Sequence, residues 1–186
     1  MGEMTFSDQQ KKKLLALARR TIEEGARGKK KPKAEPDDTQ LAVPAGAFVS
    51  LHKRGGLRGC IGRFEADSPL YQTVADMAWA ASKNDPRFNE VGKEELPDID
   101  IEISVLSPLI KILSVKEIEV GRHGIYIIRG GRRGTLLPQV ALEQGWNREA
   151  FLRHTCMKAG LPPDAYKDEG TEIYIYDAQV FGEKDR

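Results

Sequence analysis

Ile99-Asp100-Ile101-Glu102-Ile103-Ser104-Val105 alternates apolar and polar residues without a break. Successive side chains of a strand point to opposite faces, so this run predicts a β-strand with one face buried and the other polar. Such a strand needs an apolar layer beneath it, and the preceding segment supplies one. Leu70, Val74, Met77, Ala78 and Ala81 form a single helical stripe. Ser68-Pro69 provides the start of that helix and Asn84-Asp85-Pro86 its stop. Further upstream, Ala47–Leu51 and Leu57–Phe64 flank Gly55-Gly56, a dipeptide suited to a primed hairpin turn. Ser7 with Gln10 makes a capping-box pattern, and Leu14, Leu15, Leu17, Ala18 and Ile22 continue at helical spacing, predicting a helix over about Asp8–Glu24. Downstream, Gly124–Arg129 and Thr135–Leu137 read as a second hairpin. Asn147 caps a helix that carries Phe151, Leu152 and Cys156 inward and ends at Gly160, and Glu172–Val180 reads as a last strand. Hairpins and helices do not alternate strictly, so the fold class is α+β with mainly antiparallel strands and flanking helices. The chain contains no internal repeat.

The chain has 186 residues, 29 Lys+Arg against 28 Asp+Glu, and 40% apolar residues. This is one domain over residues 1–186, large enough to bury roughly 70% of its unfolded surface without disulfides or a structural metal. A net charge of +1 gives no general attraction to phosphate, so nucleic acid is a disfavoured partner. The longest stretch free of charged residues and histidine, Thr39–Leu51, is too short to cross a bilayer and is interrupted by Pro44, so no membrane is expected. Glu3, Asp8 and Lys11-Lys12-Lys13 stand where a signal peptide would need an apolar core, which makes a cytoplasmic location the default. Cys60 and Cys156 are then free thiols. Residues 26–38 carry two prolines and no aromatic residue, and are expected to form a flexible charged loop. Lys29, Lys30, Lys31 and Lys33 within it read as a solvated face.

No CxxC, HxxxH, GxGxxG or GxxxxGK[ST] is present, so the composition points to no metal and no cofactor. The chemistry-bearing stretch is Leu57-Arg58-Gly59-Cys60-Ile61-Gly62. Glycine weakens a strand, and one on either side of a cysteine marks a place where a ligand or another backbone comes close. Alternation puts Arg58 and Cys60 on one face with Cα atoms ~6.6 Å apart. A guanidinium there favours a thiolate by about 0.6 kcal/mol at a dielectric of 80 and about 2.5 kcal/mol at 20. Burial thus decides whether Cys60 is a reactive thiol or a small residue filling a sheet. A two-residue Gly55-Gly56 turn places Leu51 opposite Cys60 and directs His52 to the other face; a three-residue loop would pair His52 with Cys60 instead. Asn84-Asp85-Pro86-Arg87-Phe88 is either a substrate-positioning loop or a turn locked by Asp85 and Arg87 with Phe88 plugging the core. Glu102 is a solvent-facing spacer or a carboxylate facing a cleft. His123 is a titratable site group or a turn residue, and Cys156 belongs with Leu152 to the core.

These stretches, together with Gly46–Leu51, Ile103–Pro108, Leu136–Ala141 and Gly145-Trp146, resemble the AMMECR-type domain family from about Leu14 to Phe181, with LRGCIG as its most specific motif. The resemblance implies two unequal lobes with an inter-lobe cleft near the motif strand. It also implies a Memo-like protein and a radical SAM enzyme as partners, and RNA-related roles in eukaryotic members. It carries no established reaction. The positions it marks are Arg58, Gly59, Cys60 and Gly62, then Asp85, Arg87, Glu102, His123 and Gln139. Two functions follow as expectations. In the first, a small enzyme or enzyme component uses Cys60 as thiolate, Arg58 to favour it and Glu102 as acid/base, with Gly59, Gly62, Asp85, Arg87, His123 and Gln139 lining the substrate. In the other, a non-catalytic module presents the same surface to a partner protein or nucleic acid.

Overall fold

The computed structural model describes residues 5–35 and 38–184. Pro36 and Asp37, part of the loop expected at residues 26–38, lie outside the described residues. The chain divides into two compact units, one made by residues up to Leu106 together with those from Gln179 on, the other by Ser107–Ala178.

The first unit opens with α1 (Asp8–Ala26), whose Ser7 and Gln10 form the predicted capping box. Beyond it, Lys29 reaches Glu24 at 3.0 Å and Lys31 pairs with Asp76. β1 (Ala47–Lys53) and β2 (Gly56–Arg63) form the first hairpin. α2 (Leu70–Lys83) follows, with Pro69 rather than Ser68 at its cap. β3 (Ile99–Leu106) is the alternating strand, and the order β2-β1-β3 is antiparallel throughout. Val49, Leu51, Ile99, Ile101, Ile103 and Val105 turn to one face and bury against Leu14, Ala18 and Ile22 of α1 and Leu70, Val74, Ala78 and Ala81 of α2. The opposite face of the three strands carries Ser50, His52, Glu102 and Ser104.

In the second unit a two-residue strand β4 (Ile110–Lys111) precedes β5 (His123–Arg129) and β6 (Arg132–Leu136), which turn at Gly130-Gly131. β6 begins three residues before the strand expected at Thr135. A helix of six residues, α3 (Pro138–Glu143), was not expected, being too short to show a period. α4 (Arg148–Lys158) is capped by Asn147 as predicted. β7 (Glu172–Gly182) pairs antiparallel with both β4 and β5. Ile125, Ile127, Phe151, Leu152, Cys156 and Ile175 form this unit's own core. Its last residues return to the first unit, whose core takes Phe181. The fold is α+β with antiparallel strands.

Candidate functional site

The hairpin that carries Cys60 turns at Arg54-Gly55, one residue earlier than the Gly55-Gly56 expected. Both residues have positive φ, 52° and 83°, as a type I′ turn requires. This turn alone would pair Leu51 with Arg58. A bulge between Leu51 and His52 absorbs Arg58 instead, so that Leu51 opposes Gly59, Ser50 opposes Cys60 and His52 opposes Leu57. The bulge has a packing cause. Gly59 is buried on the helix side, where a Cβ would lie 2.4 Å from the carbonyl oxygen of Ala81 in α2. Only glycine fits there, and its register fixes Cys60 on the polar face. Gly62 shares that face, with the ring of Phe48 lying over it so closely that a Cβ would come within 2.2 Å.

β2 is the outer strand of its sheet, and the backbone of Cys60 faces outward from it. Asp85 and Arg87 satisfy both of its groups. The Cys60 N–H donates to Asp85 Oδ2 at 2.9 Å, and Arg87 Nη2 donates to the Cys60 carbonyl at 3.2 Å. Arg87 also grips Asp85 through Nε and Nη2 at 3.0 and 2.7 Å, and its own N–H donates to Asp85 Oδ1. Asp85 is 4% exposed. The Arg87 guanidinium, joined by the N–H groups of Cys60 and Arg87, holds its carboxyl well below the usual carboxylate range. Of the two readings weighed from the sequence, the structure shows the Asp85–Arg87 turn lock, and that lock takes the place of a neighbour strand at Cys60.

Arg58 does something other than face the thiol. Its Nε and Nη2 bind both oxygens of Glu95 at 2.9 and 2.8 Å, and Nη1 and Nη2 bind the carbonyls of Asn89 and Glu90. Lys53 adds a third bond to Glu95. These cations, Arg58 foremost, bring the Glu95 carboxyl down to about 2. Arg58 is thus committed to Glu95, and the bulge takes it out of the strand's alternation with Cys60. The Arg87 guanidinium is held in its protonated form chiefly by its hydrogen bonds to Asp85, and a charge on Cys60 would act in the same direction. Phe88 lies between the two arginines, 5.8 Å from Arg58 and 5.4 Å from Arg87 at its ring centre.

On the polar face, the Ser50 hydroxyl donates to Cys60 Sγ at 3.2 Å. Because the Cys60 backbone points away from β1, this is the close, non-hydrogen-bonded type of cross-strand pair, which brings side chains together. Glu102 is the Cα partner of Ser50 on the other side. Cys60, Ser50 and Glu102 therefore stand in one row across three strands. His52, two residues from Ser50, belongs to this face as well, contrary to the orientation the Gly55-Gly56 turn implied, and its Nε2 is buried without a hydrogen-bond partner among the described residues. Ser50 and Glu95 went unnoticed in the sequence. A polar residue at the centre of an apolar run was the available sign of Ser50, whereas nothing local ties Glu95 to Arg58, 37 positions away.

His123 and Gln139 belong to the second unit. His123 is 8% exposed, accepts the Glu119 N–H on Nδ1 at 3.1 Å and places Nε2 3.7 Å from Asp177. Gln139 follows Pro138 in the first turn of α3. Cys156 is fully buried, and burial raises the pKa of its thiol. Among the described residues no group of three His, Cys, Asp or Glu side chains is placed to hold a metal, and no helix is long and apolar enough to cross a membrane.

An α+β chain with a clamped cysteine on an outer strand within LRGCIG defines a class, and that class has a family model. The chain belongs to the AMMECR1 family, whose model matches residues 15–181. A protein of Methanothermobacter thermautotrophicus is 47% identical over 178 residues, covering 91% of this chain and 92% of its own. One from Methanopyrus kandleri is 43% identical over 181 residues, covering 92% and 87%. The crystal structure of the uncharacterised protein PH0010 from Pyrococcus horikoshii is 38% identical and superposes with a TM-score of 0.92 over 96% of this chain and 94% of its own.

Proposed function

We propose that this protein is a small thiol enzyme, or the thiol-bearing component of one, in which Cys60 is the nucleophile. The observation that carries this is the Ser50 hydroxyl donating to Cys60 Sγ, a bond that favours the thiolate over the thiol. Three features support it. Cys60 is partly exposed, as a reacting thiol must be; its backbone is pinned by Asp85 and Arg87, which fixes the direction of attack; and Glu102 stands in register beyond Ser50. In the step proposed, the Ser50 hydroxyl keeps its proton and its hydrogen bond to the sulfur, and the thiol proton passes to Glu102. The sulfur then adds to an electrophilic carbonyl carbon, an S–C bond forms, the π pair moves onto oxygen, and Glu102 returns the proton there. On this reading the Memo-like and radical SAM proteins implied by the family resemblance are partners that supply or take up the substrate, and the protein works in the cytoplasm.

The Ser50 hydrogen bond makes this testable. The rate of Cys60 alkylation by iodoacetamide should rise with pH along a limb that moves to higher pH in Ser50→Ala, which removes the hydrogen bond to the thiolate. Superimposable profiles in the two proteins would leave Ser50 without a part in ionising Cys60 and would refute this reading.

A further inference from the structure

Arg58 and Arg87 flank the same ring but are not equivalent. Arg58 has all three of its nitrogens engaged and a side chain 13% exposed. Arg87 spends Nε and Nη2 on Asp85 and on the Cys60 carbonyl, its side chain is 50% exposed, and Nη1 has no partner among the described residues. Its inner edge is fastened, while the two N–H groups of Nη1 are left open beside the backbone of the nucleophile. A guanidinium free in solution must be immobilised before it can orient a ligand; here Asp85 and the Phe88 ring have already done so.

We infer that Arg87 receives an oxyanion, a carboxylate or a phosphate group, on the molecule that Cys60 attacks, so that the substrate class is an anionic electrophile. This rests on the reading of Cys60 as a nucleophile and adds the substrate's charge to it. Asp85 fixes the guanidinium, the guanidinium fixes the substrate anion, and the same pair fixes the sulfur through its backbone.

Iodoacetate and iodoacetamide test the inference on the whole chain. Both alkylate by one reaction, in which the thiolate sulfur forms a bond to carbon as the C–I bond breaks and iodide leaves. They differ in carrying a carboxylate or a neutral amide. The ratio of their rates at Cys60, read by peptide mass mapping, should be about tenfold higher in the native protein than in the same protein unfolded in urea. It should fall to the unfolded value in about 1 M salt, where the screening length is about 3 Å, and in Arg87→Gln. In a second arm, inorganic phosphate should slow the reaction with iodoacetamide if the oxyanion is a phosphate. A carboxylate preference alone assigns a carboxylate substrate, and phosphate protection alone assigns a phosphate. Native reactivity with iodoacetamide accompanied by neither effect overturns the inference and leaves the nucleophile standing. A Cys60 inert to both reagents overturns the nucleophile, and this inference with it. The wild-type ratios decide the matter even if Arg87→Gln does not fold.

Discussion

A methyl group added at Gly59 would meet the Ala81 carbonyl at 2.4 Å, while one residue further on the Cys60 thiol accepts a hydrogen bond from the hydroxyl of Ser50. The two neighbours therefore answer differently to substitution. Gly59→Ala should cost about 1 to 3 kcal/mol in urea unfolding, since helix and strand must part to admit the Cβ. Cys60→Ser changes volume little and exchanges one hydrogen-bonding group for another on a partly exposed face. Its melting temperature should stay within a degree or two of wild type, while any ligand bound through the thiol is lost. A stability loss in Cys60→Ser as large as that in Gly59→Ala would assign Cys60 to the scaffold. That a close approach occurs at this glycine was legible in the chain, because a glycine inside a strand pattern has few other uses. The register was not legible: a two-residue turn and a single-residue bulge have opposite effects on pairing, and neither Arg54 at positive φ nor the bulge at Arg58 leaves a mark in the hydrophobic pattern.

Among the elements, the outer strand β2 depends on charged side chains for what a neighbouring strand would otherwise supply. Asp85 serves Cys60, and Glu95 serves Arg58 and Lys53. Both carboxyls ionise below their ordinary range in the folded state, Glu95 at about 2 against 4.5. A carboxyl with a depressed folded pKa stabilises fully above its unfolded pKa and ceases to do so as pH falls through the folded one. Stability should thus be flat above about pH 5 and decline between 4.5 and 2, and Glu95→Gln should flatten that decline by on the order of 2 kcal/mol. Urea midpoints measured across this range check it. An acid limb unchanged in Glu95→Gln would mean that Arg58 finds no net stabilisation in its partner. The helices and long strands were readable from period and caps because each carries its own signal: Ser7 with Gln10, Asn147, and the alternation of Ile99–Val105. The pairing of Arg58 with Glu95 joins residues far apart in the chain, and only the folded sheet brings them within reach.

For the molecule as a whole, the balance of 29 basic and 28 acidic residues persists locally in the fold. Lys29 and Lys31 are taken by Glu24 and Asp76, Arg129 by Asp168 and Arg153 by Asp164. Nucleic acid held by these four cations would have to break these pairs. Affinity for RNA at physiological salt should therefore be weaker than micromolar, and the slope of log affinity against log salt should correspond to only a few phosphates at roughly 0.7 to 0.9 each. Submicromolar binding abolished by removing Lys29–Lys33 would favour the binding-module function over the enzyme. Most direct is the contrast between the two thiols of the native chain. Cys60 is partly exposed beside Ser50, while Cys156 is buried in the core of the second unit. Native protein treated briefly with iodoacetamide near neutral pH and mapped by mass spectrometry should be labelled at Cys60 and spared at Cys156 until it unfolds. Protection of Cys60 to the same degree as Cys156, with both thiols reacting only on unfolding, would contradict the account.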